Sequence, residues 1–254
     1  MADLAAQHRF REARKLSALL RILHPSNELR RQVQLLRAFE SGAKAPIYPI
    51  QTAFRQDRKL LRSAPAVLVF VALNLIAFLI EILNGGWSDQ TLYRLGSVEQ
   101  YSILFLGQYW RLLTALFLHA GPVHLLFNLF ALYILGVPLE KAIGPLRFCI
   151  CYLFAGVGST AGVVLLTRLG LTHTSLLVGA SGAIMGVVGA WAGFLLLNRQ
   201  VPMAKQRLTN ILLIVLIQIA FDLSTPQVSM AAHMCGLFTG LVMGLILSPP
   251  ARVR

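Results

Sequence analysis

The chain has 254 residues, of which 56% are hydrophobic and 13% are charged, whereas about 25% of the residues in an average soluble domain are charged. This balance excludes an ordinary soluble domain and predicts a membrane protein. The net charge of +13 could indicate nucleic-acid binding. No basic-aromatic motif accompanies the charge, so no nucleic-acid partner is expected.

Residues 1–62 are predicted to form a polar, basic extension, cytoplasmic and helical. Phe10, Leu16 and Leu20 recur at helical spacing, and Pro25 breaks the run. A helical pair on the inner membrane surface is the simplest interpretation, and a partner-binding role is the alternative. No cleavable signal peptide is expected, because the first 20 residues include several charges and no unbroken apolar core.

Six apolar segments follow, each near the length of about 20 residues that spans a bilayer as a helix. They are Pro65–Leu83, Val123–Leu139, Phe148–Thr167, Leu176–Leu197, Leu208–Leu223 and Val228–Leu247. The fold expected is therefore all-α, a bundle of six transmembrane helices over residues 63–248. A short basic tail occupies residues 249–254.

The basic residues predict the orientation of these segments. With the amino terminus inside, all but three of the 23 lysines and arginines lie on inner connections, the exceptions being Arg94, Arg111 and Arg168. This asymmetry follows the positive-inside rule and predicts both termini inside. The basic excess is also expected to attract anionic lipid, so the bilayer itself is a partner.

Four polar side chains are expected at one depth in the outer half of the membrane. His124 and Asn128 begin the second segment, while Ser181 and His233 lie about five residues, or 7 to 8 Å, into the fourth and sixth. Polar groups at membrane depth are costly and therefore suggest function. Each has a plain alternative, such as a helix contact, a serine bonded to its own helix or an interhelical pair.

The three cysteines do not predict a metal site. Cys149 and Cys151 share one segment and Cys235 lies on another, and a zinc site would need further ligands. Buried cysteines in such segments usually pack as small apolar residues. Neither a metal nor a cofactor is expected.

Five motifs occur in a specific order. They are Trp110-Arg111, His124-Leu125-Leu126-Phe127-Asn128, the run from Gly136 to Gly144, Gly179-Ala180-Ser181-Gly182 and Ala232-His233-Met234-Cys235-Gly236. In this order, and on these segments, the chain resembles the rhomboid family of intramembrane serine proteases. The resemblance covers about residues 65–247.

The resemblance implies a catalytic dyad. Ser181 would be the nucleophile and His233 the general base that later acts as general acid. The oxyanion donors would be His124, Asn128 and the backbone N–H of Ser181. The positive end of the fourth helix would favour the developing negative charge.

The resemblance also implies supporting residues. Gly179 and Gly182 would let a substrate backbone approach closely, and Gly236 and Gly240 would line a tight helix contact. Phe127 would help to gate substrate entry. Trp110 and Arg111 would anchor the first outer loop, Glu140 would be structural, and Met185 replaces an aromatic residue that stacks on the histidine in many relatives.

Asp222 is an acid near the outer end of the fifth segment. It could orient His233. The family pattern and the usual fate of an acid at a helix end favour a solvated, structural role instead.

The function expected is that of a serine endopeptidase that cleaves single-pass transmembrane proteins near the outer membrane face. A bacterial cytoplasmic membrane is the expected location. Two other functions compete with this one. An inactive relative would bind membrane clients, although such proteins typically lose the serine or the histidine. A transporter or channel would predict inverted repeats and more intramembrane charge.

Overall fold

The computed structural model describes residues 64–173, 176–201, 203–225 and 228–249, which form nine helices and no strand. The helices are α1 Pro65–Leu83, α2 Asp89–Leu95, α3 Gln100–Leu104, α4 Arg111–Thr114, α5 Pro122–Ile143, α6 Pro145–Arg168, α7 Ser181–Leu197, α8 Ala204–Ser224 and α9 Met230–Leu247. The predicted extension and almost all of the predicted tail lie outside the described residues.

The all-helical membrane architecture is confirmed. Within the described ranges, α1, α5, α6, α8 and α9 are long and apolar enough to cross a membrane, and α7 is a shorter apolar helix of 17 residues. Each predicted segment therefore overlaps one helix, although several of the bounds differ.

The predicted start of the fourth segment is wrong. The segment was expected to begin at Leu176, but α7 begins at Ser181. Leu177 instead exchanges backbone hydrogen bonds with Val98, and Gly179 has a φ of +123° that a right-handed helix does not allow. Ser181 therefore lies in the first turn of α7 rather than five residues along it.

Helices α6, α7 and α9 pack most tightly because glycines line their contacts. A Cβ on Gly240 of α9 would collide with the carbonyl oxygen of Gly186 on α7, and a Cβ on Gly189 would collide with that of Leu237. On α6, Gly158 faces the side chain of Thr239 in the same way. Small residues allow helix backbones to touch, as is common in membrane bundles.

Helix α5 crosses beside α1 and holds its first turn. Glu140 accepts hydrogen bonds from the backbone N–H groups of Ala66 (2.9 Å) and Val67 (2.8 Å), which have no partner within α1. The backbone of α5 widens to a π turn at Leu132–Gly136, just before Pro138, which has no N–H to donate. The carboxylate is buried and complements the positive end of α1.

Residues 84–121 fold over one end of the bundle around a buried arginine. Arg111 donates to the carbonyl oxygens of Tyr93 (2.7 Å) and Ser97 (3.1 Å) and to Oε1 of Gln108 (2.7 Å). Its guanidinium also lies 4.8 Å from the ring centroid of Trp110. These contacts fix the connection between α1 and α5.

Helix α8 is the least buried of the long helices in the described part of the chain. Its only buried residues are Ala204 and Asp222, one near each end. The rest of its surface is partly or fully exposed and apolar enough to face lipid.

Candidate active site

Ser181 and His233 form a hydrogen-bonded pair at the end of the bundle covered by residues 84–121. The distance from His233 Nε2 to Ser181 Oγ is 2.9 Å, and His233 is 3% exposed. Ser181 is the first residue of α7, and His233 lies in the first turn of α9. The glycine contacts between these two helices set their separation. Ser159 of α6 fixes the start of α9 by donating to the carbonyl oxygen of Ala232 at 2.6 Å.

Asp222 lies on the other side of the imidazole. Its Oδ2 is 2.8 Å from His233 Nδ1, and its side chain is fully buried. The expectation that Asp222 is solvated is therefore wrong, because the last turn of α8 directs this residue toward α9. Gln218, one turn earlier on α8, donates to Asp222 Oδ1 at 2.7 Å.

His124 and Asn128 of α5 border Gly179, two residues before the serine. A Cβ on Gly179 would lie 2.8 Å from His124 Cε1 and 2.9 Å from His124 Nε2, so only glycine fits there. His124 Nδ1 accepts from the N–H of Ala120 at 3.3 Å, so in the neutral ring Nε2 carries the proton. Asn128 Nδ2 is buried and has no hydrogen-bond partner among the described residues.

Two residues that the sequence does not single out, His119 and Glu81, support His124. His119 contacts it directly, and Glu81 holds His119. The ring of His119 packs edge-on against that of His124 with centroids 5.2 Å apart, and the backbone N–H of His119 donates to Glu81 Oε1 at 2.8 Å. Burial, together with the proximity of His124, lowers the pKa of His119, so its imidazole is neutral. His119 thus adds an uncharged second layer behind His124.

The remaining predicted residues differ in how exposed they are and in what they pack against. Trp110 and Phe127 are exposed, and Met185 is buried one turn beyond Ser181. A Cβ on Gly182 would collide with Ser159 of α6. Gly182 therefore serves helix packing rather than the predicted close approach of a substrate, since its missing side chain faces the bundle. Gly236 and Gly240 line the α7–α9 contact.

Consecutive hydrogen bonds join a hydroxyl, an imidazole and a carboxylate, and the His124 and Asn128 side chains lie beside Gly179, two residues before the hydroxyl. From the sequence, the contact between Asp222 and His233 is the less favoured alternative, and Gln218 is not singled out. One signal was available, since Gln218 and Asp222 are spaced i and i+4 in an apolar segment, where polar residues are seldom incidental. Among the described residues, no group of three or more metal-ligating side chains is present.

Comparison with known proteins identifies the family. A rhomboid domain model matches residues 106–250. RHOMBOID-like protein 6, mitochondrial, of Arabidopsis thaliana is 39% identical over 163 residues, which are 64% of this chain and 51% of the relative. Rhomboid protease GluP of Bacillus subtilis (strain 168) is 36% identical over 184 residues, 72% of this chain and 34% of the relative.

The match covers different shares of these relatives. The chain spans 51% and 34% of the length of these two relatives, but 90% of the putative rhomboid protease YdcA of Bacillus subtilis (strain 168), at 29% identity over 191 residues. The residues that the rhomboid domain model matches contain α5 to α9 and the Ser181–His233 pair. The chain is therefore an integral membrane protein that belongs to the rhomboid family of intramembrane proteases.

Proposed function

We propose that this chain is a serine endopeptidase that cleaves transmembrane proteins within the bilayer. The observation that carries the proposal is the 2.9 Å hydrogen bond between Ser181 Oγ and His233 Nε2 at the amino-terminal end of α7. A serine hydroxyl is a weak nucleophile unless an adjacent base removes its proton. His233 is such a base, and its imidazole contacts Ser181 through Nε2 and Asp222 through Nδ1.

In this mechanism His233 Nε2 accepts the proton of Ser181 as Oγ attacks the scissile carbonyl carbon. The tetrahedral intermediate collapses when the imidazolium returns the proton to the leaving amine, and an acyl-enzyme remains. Water, activated by the same imidazole, then hydrolyses the ester and restores Ser181. A pair that transfers one proton back and forth is sufficient for both half-reactions.

The oxyanion of each intermediate would be stabilised by groups that border Gly179. His124 Nε2–H and Asn128 Nδ2–H are the side-chain donors, and the unpaired amide of Asn128 is consistent with this role. The N–H of Ser181 has no helical partner because it opens α7. Donors that are already oriented stabilise the transition state without having to reorganise.

The substrate would be a single-pass transmembrane protein cut near the membrane face that carries the site. An intact helix hides its carbonyl groups in its own hydrogen bonds, so residues that weaken a helix, such as Gly, should favour cleavage. A set of model substrates differing only in Gly or Ala at that depth tests this point, and equal cleavage rates would contradict it. We further propose that the membrane is a bacterial cytoplasmic membrane with both termini inside.

The decisive experiment measures cleavage of a tagged single-span substrate in proteoliposomes. The parent should cleave the substrate, and Ser181→Ala and His233→Ala should each reduce the rate by at least about 10³-fold. Ser224→Ala, which removes an exposed serine from α8, is the control and should match the parent. A parent that neither cleaves nor reacts with a fluorophosphonate at Ser181 would instead support a non-catalytic binder of membrane clients.

A further inference from the structure

Nδ1 of His233 has two neighbours, both on α8. Asp222 Oδ2 lies at 2.8 Å and Gln218 Nε2 at 3.3 Å. Gln218 Nε2 also donates to Asp222 Oδ1 at 2.7 Å, so the two α8 side chains are joined to each other as well as to the ring. This arrangement determines which ring nitrogen of His233 carries the proton.

The two neighbours favour opposite tautomers of His233. A carboxylate can only accept, so the contact with Asp222 places the proton on Nδ1 and leaves Nε2 free to accept from Ser181. The amide nitrogen of Gln218 can only donate, so a bond from it to Nδ1 would place the proton on Nε2. A protonated Nε2 cannot act as the base for Ser181.

The contact with Asp222 is the stronger of the two. It is 0.5 Å shorter, it involves a charged acceptor, and both side chains are almost completely buried. Gln218 already spends one N–H on Asp222, which satisfies the second carboxylate oxygen and holds the carboxylate plane in place. Gln218 therefore supports the carboxylate while the carboxylate selects the tautomer.

We propose that Asp222 is a positioning residue for His233, held by Gln218, so that the reacting pair operates as a Ser-His-Asp set. Asp222 keeps the proton on Nδ1, fixes the ring against Ser181 and stabilises the imidazolium that forms when Ser181 attacks. The proposal rests on the proposed protease function. It adds a residue on α8 to a mechanism otherwise carried by α5, α7 and α9.

A purely structural role for Asp222 predicts different behaviour. Because Asp222 and Ala204 are the only buried residues of α8 among those described, Asp222 also attaches this end of the helix to the bundle. Loss of that attachment would alter the stability or the binding of a substrate. Loss of ring positioning would lower kcat while KM stays nearly constant.

The first test measures kcat and KM for Asp222→Asn, which preserves the shape of the side chain and removes its charge. We expect kcat to fall by about 10²- to 10⁴-fold with KM changed by less than about threefold. Ser224→Ala is the control, because Ser224 is exposed on the same turn of α8 and donates to the carbonyl oxygen of Ala220. A kcat for Asp222→Asn within about threefold of the parent would overturn the proposal.

The second test moves the carboxylate to the neighbouring position. In the double variant Asp222→Asn with Gln218→Glu, an acceptor oxygen replaces the amide nitrogen that lies 3.3 Å from Nδ1. We expect kcat to recover by at least about tenfold over Asp222→Asn alone. If kcat does not recover, Asp222 serves to attach α8 and the positioning role is refuted.

A third measurement separates this proposal from the proposed function. Nitrogen NMR of ¹⁵N-histidine-labelled protein in micelles, with the His233 signals assigned by their loss in His233→Ala, reports the tautomer without turnover. The parent should have its proton on Nδ1 and Asp222→Asn should not. If this change occurs but the parent neither cleaves nor labels, the protease function fails and the positioning role survives. An unchanged tautomer in an active enzyme refutes the positioning role.

Discussion

Asn128 is a buried amide whose two N–H groups have no hydrogen-bond partner among the described residues. Such a group costs about 1 to 3 kcal/mol of desolvation, and that cost is offset only when a ligand or a transition state accepts the bond. The donor lies beside Gly179, whose missing side chain leaves the space between His124 and the start of α7 open. The stability of the fold alone therefore does not explain why an amide side chain occupies this position.

We expect Asn128→Ala to lower kcat by about 10²- to 10³-fold, the usual effect of removing one oxyanion donor, with KM little changed. The free energy of unfolding should fall by no more than about 1 kcal/mol, because no side-chain N–H contact within the described residues is lost. Kinetics and thermal unfolding in detergent measure both quantities. Asn84→Ala, whose amide donates to Ile80 on the exposed side of α1, is the control. A loss of activity that merely parallels a loss of stability would contradict the oxyanion role.

At the scale of single residues, the sequence singled out Ser181 and His233, which lie within hydrogen-bonding distance, but not their full environment. Ser181 and His233 are recognisable because each lies in a short motif at a similar depth. Asp222 was misjudged because a residue at a helix end is usually solvated, and only the rotation of α8 about its axis determines whether it faces α9 or lipid. That rotation depends on packing between distant segments, and the spacing of Gln218 and Asp222 on one face of an apolar helix is the one local sequence signal for it.

At the scale of elements, the separation of Ser181 from His233 depends on the contact between α7 and α9. We expect Gly240→Ala to destabilise the protein by about 1 to 3 kcal/mol or more, because its new methyl group would collide with the carbonyl oxygen of Gly186. Thermal unfolding in detergent and cleavage rates should fall together. Phe238→Ala, on the lipid-facing side of α9 with 68% exposure, is the matched control. A Gly240→Ala protein with parental stability would show that the helices can separate without cost.

The boundaries of the elements were predictable where apolar character alone decides them. Helix α1 and the carboxyl-terminal end of α9 match their predicted limits, because hydropathy changes sharply there. The start of α7 was not predictable, since residues 176–180 are as apolar as the helix that follows. Their extended backbone depends on the pairing of Leu177 with Val98, which is 79 residues away in the chain.

At the scale of the whole molecule, charge predicts the orientation in the membrane. The connection after α7 carries Arg199, and Lys205 follows in the first turn of α8, whereas the connection after α6 has no lysine or arginine between Leu169 and Ala180. Under the positive-inside rule the first faces the cytoplasm and the second faces outward, with the site. Testing this orientation by cysteine labelling requires a protein in which the three native cysteines are replaced by alanine.

In that protein, we expect Leu171→Cys to react with a membrane-impermeant maleimide added to intact cells, because Leu171 is 71% exposed. Gln200→Cys, also at an exposed position, should react only after the membrane is opened. Gel-shift labelling before and after permeabilisation distinguishes the two. The reverse pattern would invert the orientation and place the site toward the cytoplasm.

The hydrogen bonds from Ala66 and Val67 to Glu140 also impose an order on biogenesis. The carboxylate is synthesised 74 residues after Ala66, and at the translation rate of about 5 to 20 residues per second it emerges roughly 4 to 15 s later. Through this interval the first turn of α1 has to rely on water, lipid headgroups or insertion factors for its N–H groups. Insertion of α5 would then supply the Glu140 carboxylate as their acceptor. The first turn of α1 therefore reaches its final hydrogen bonding only after α5 has joined the bundle.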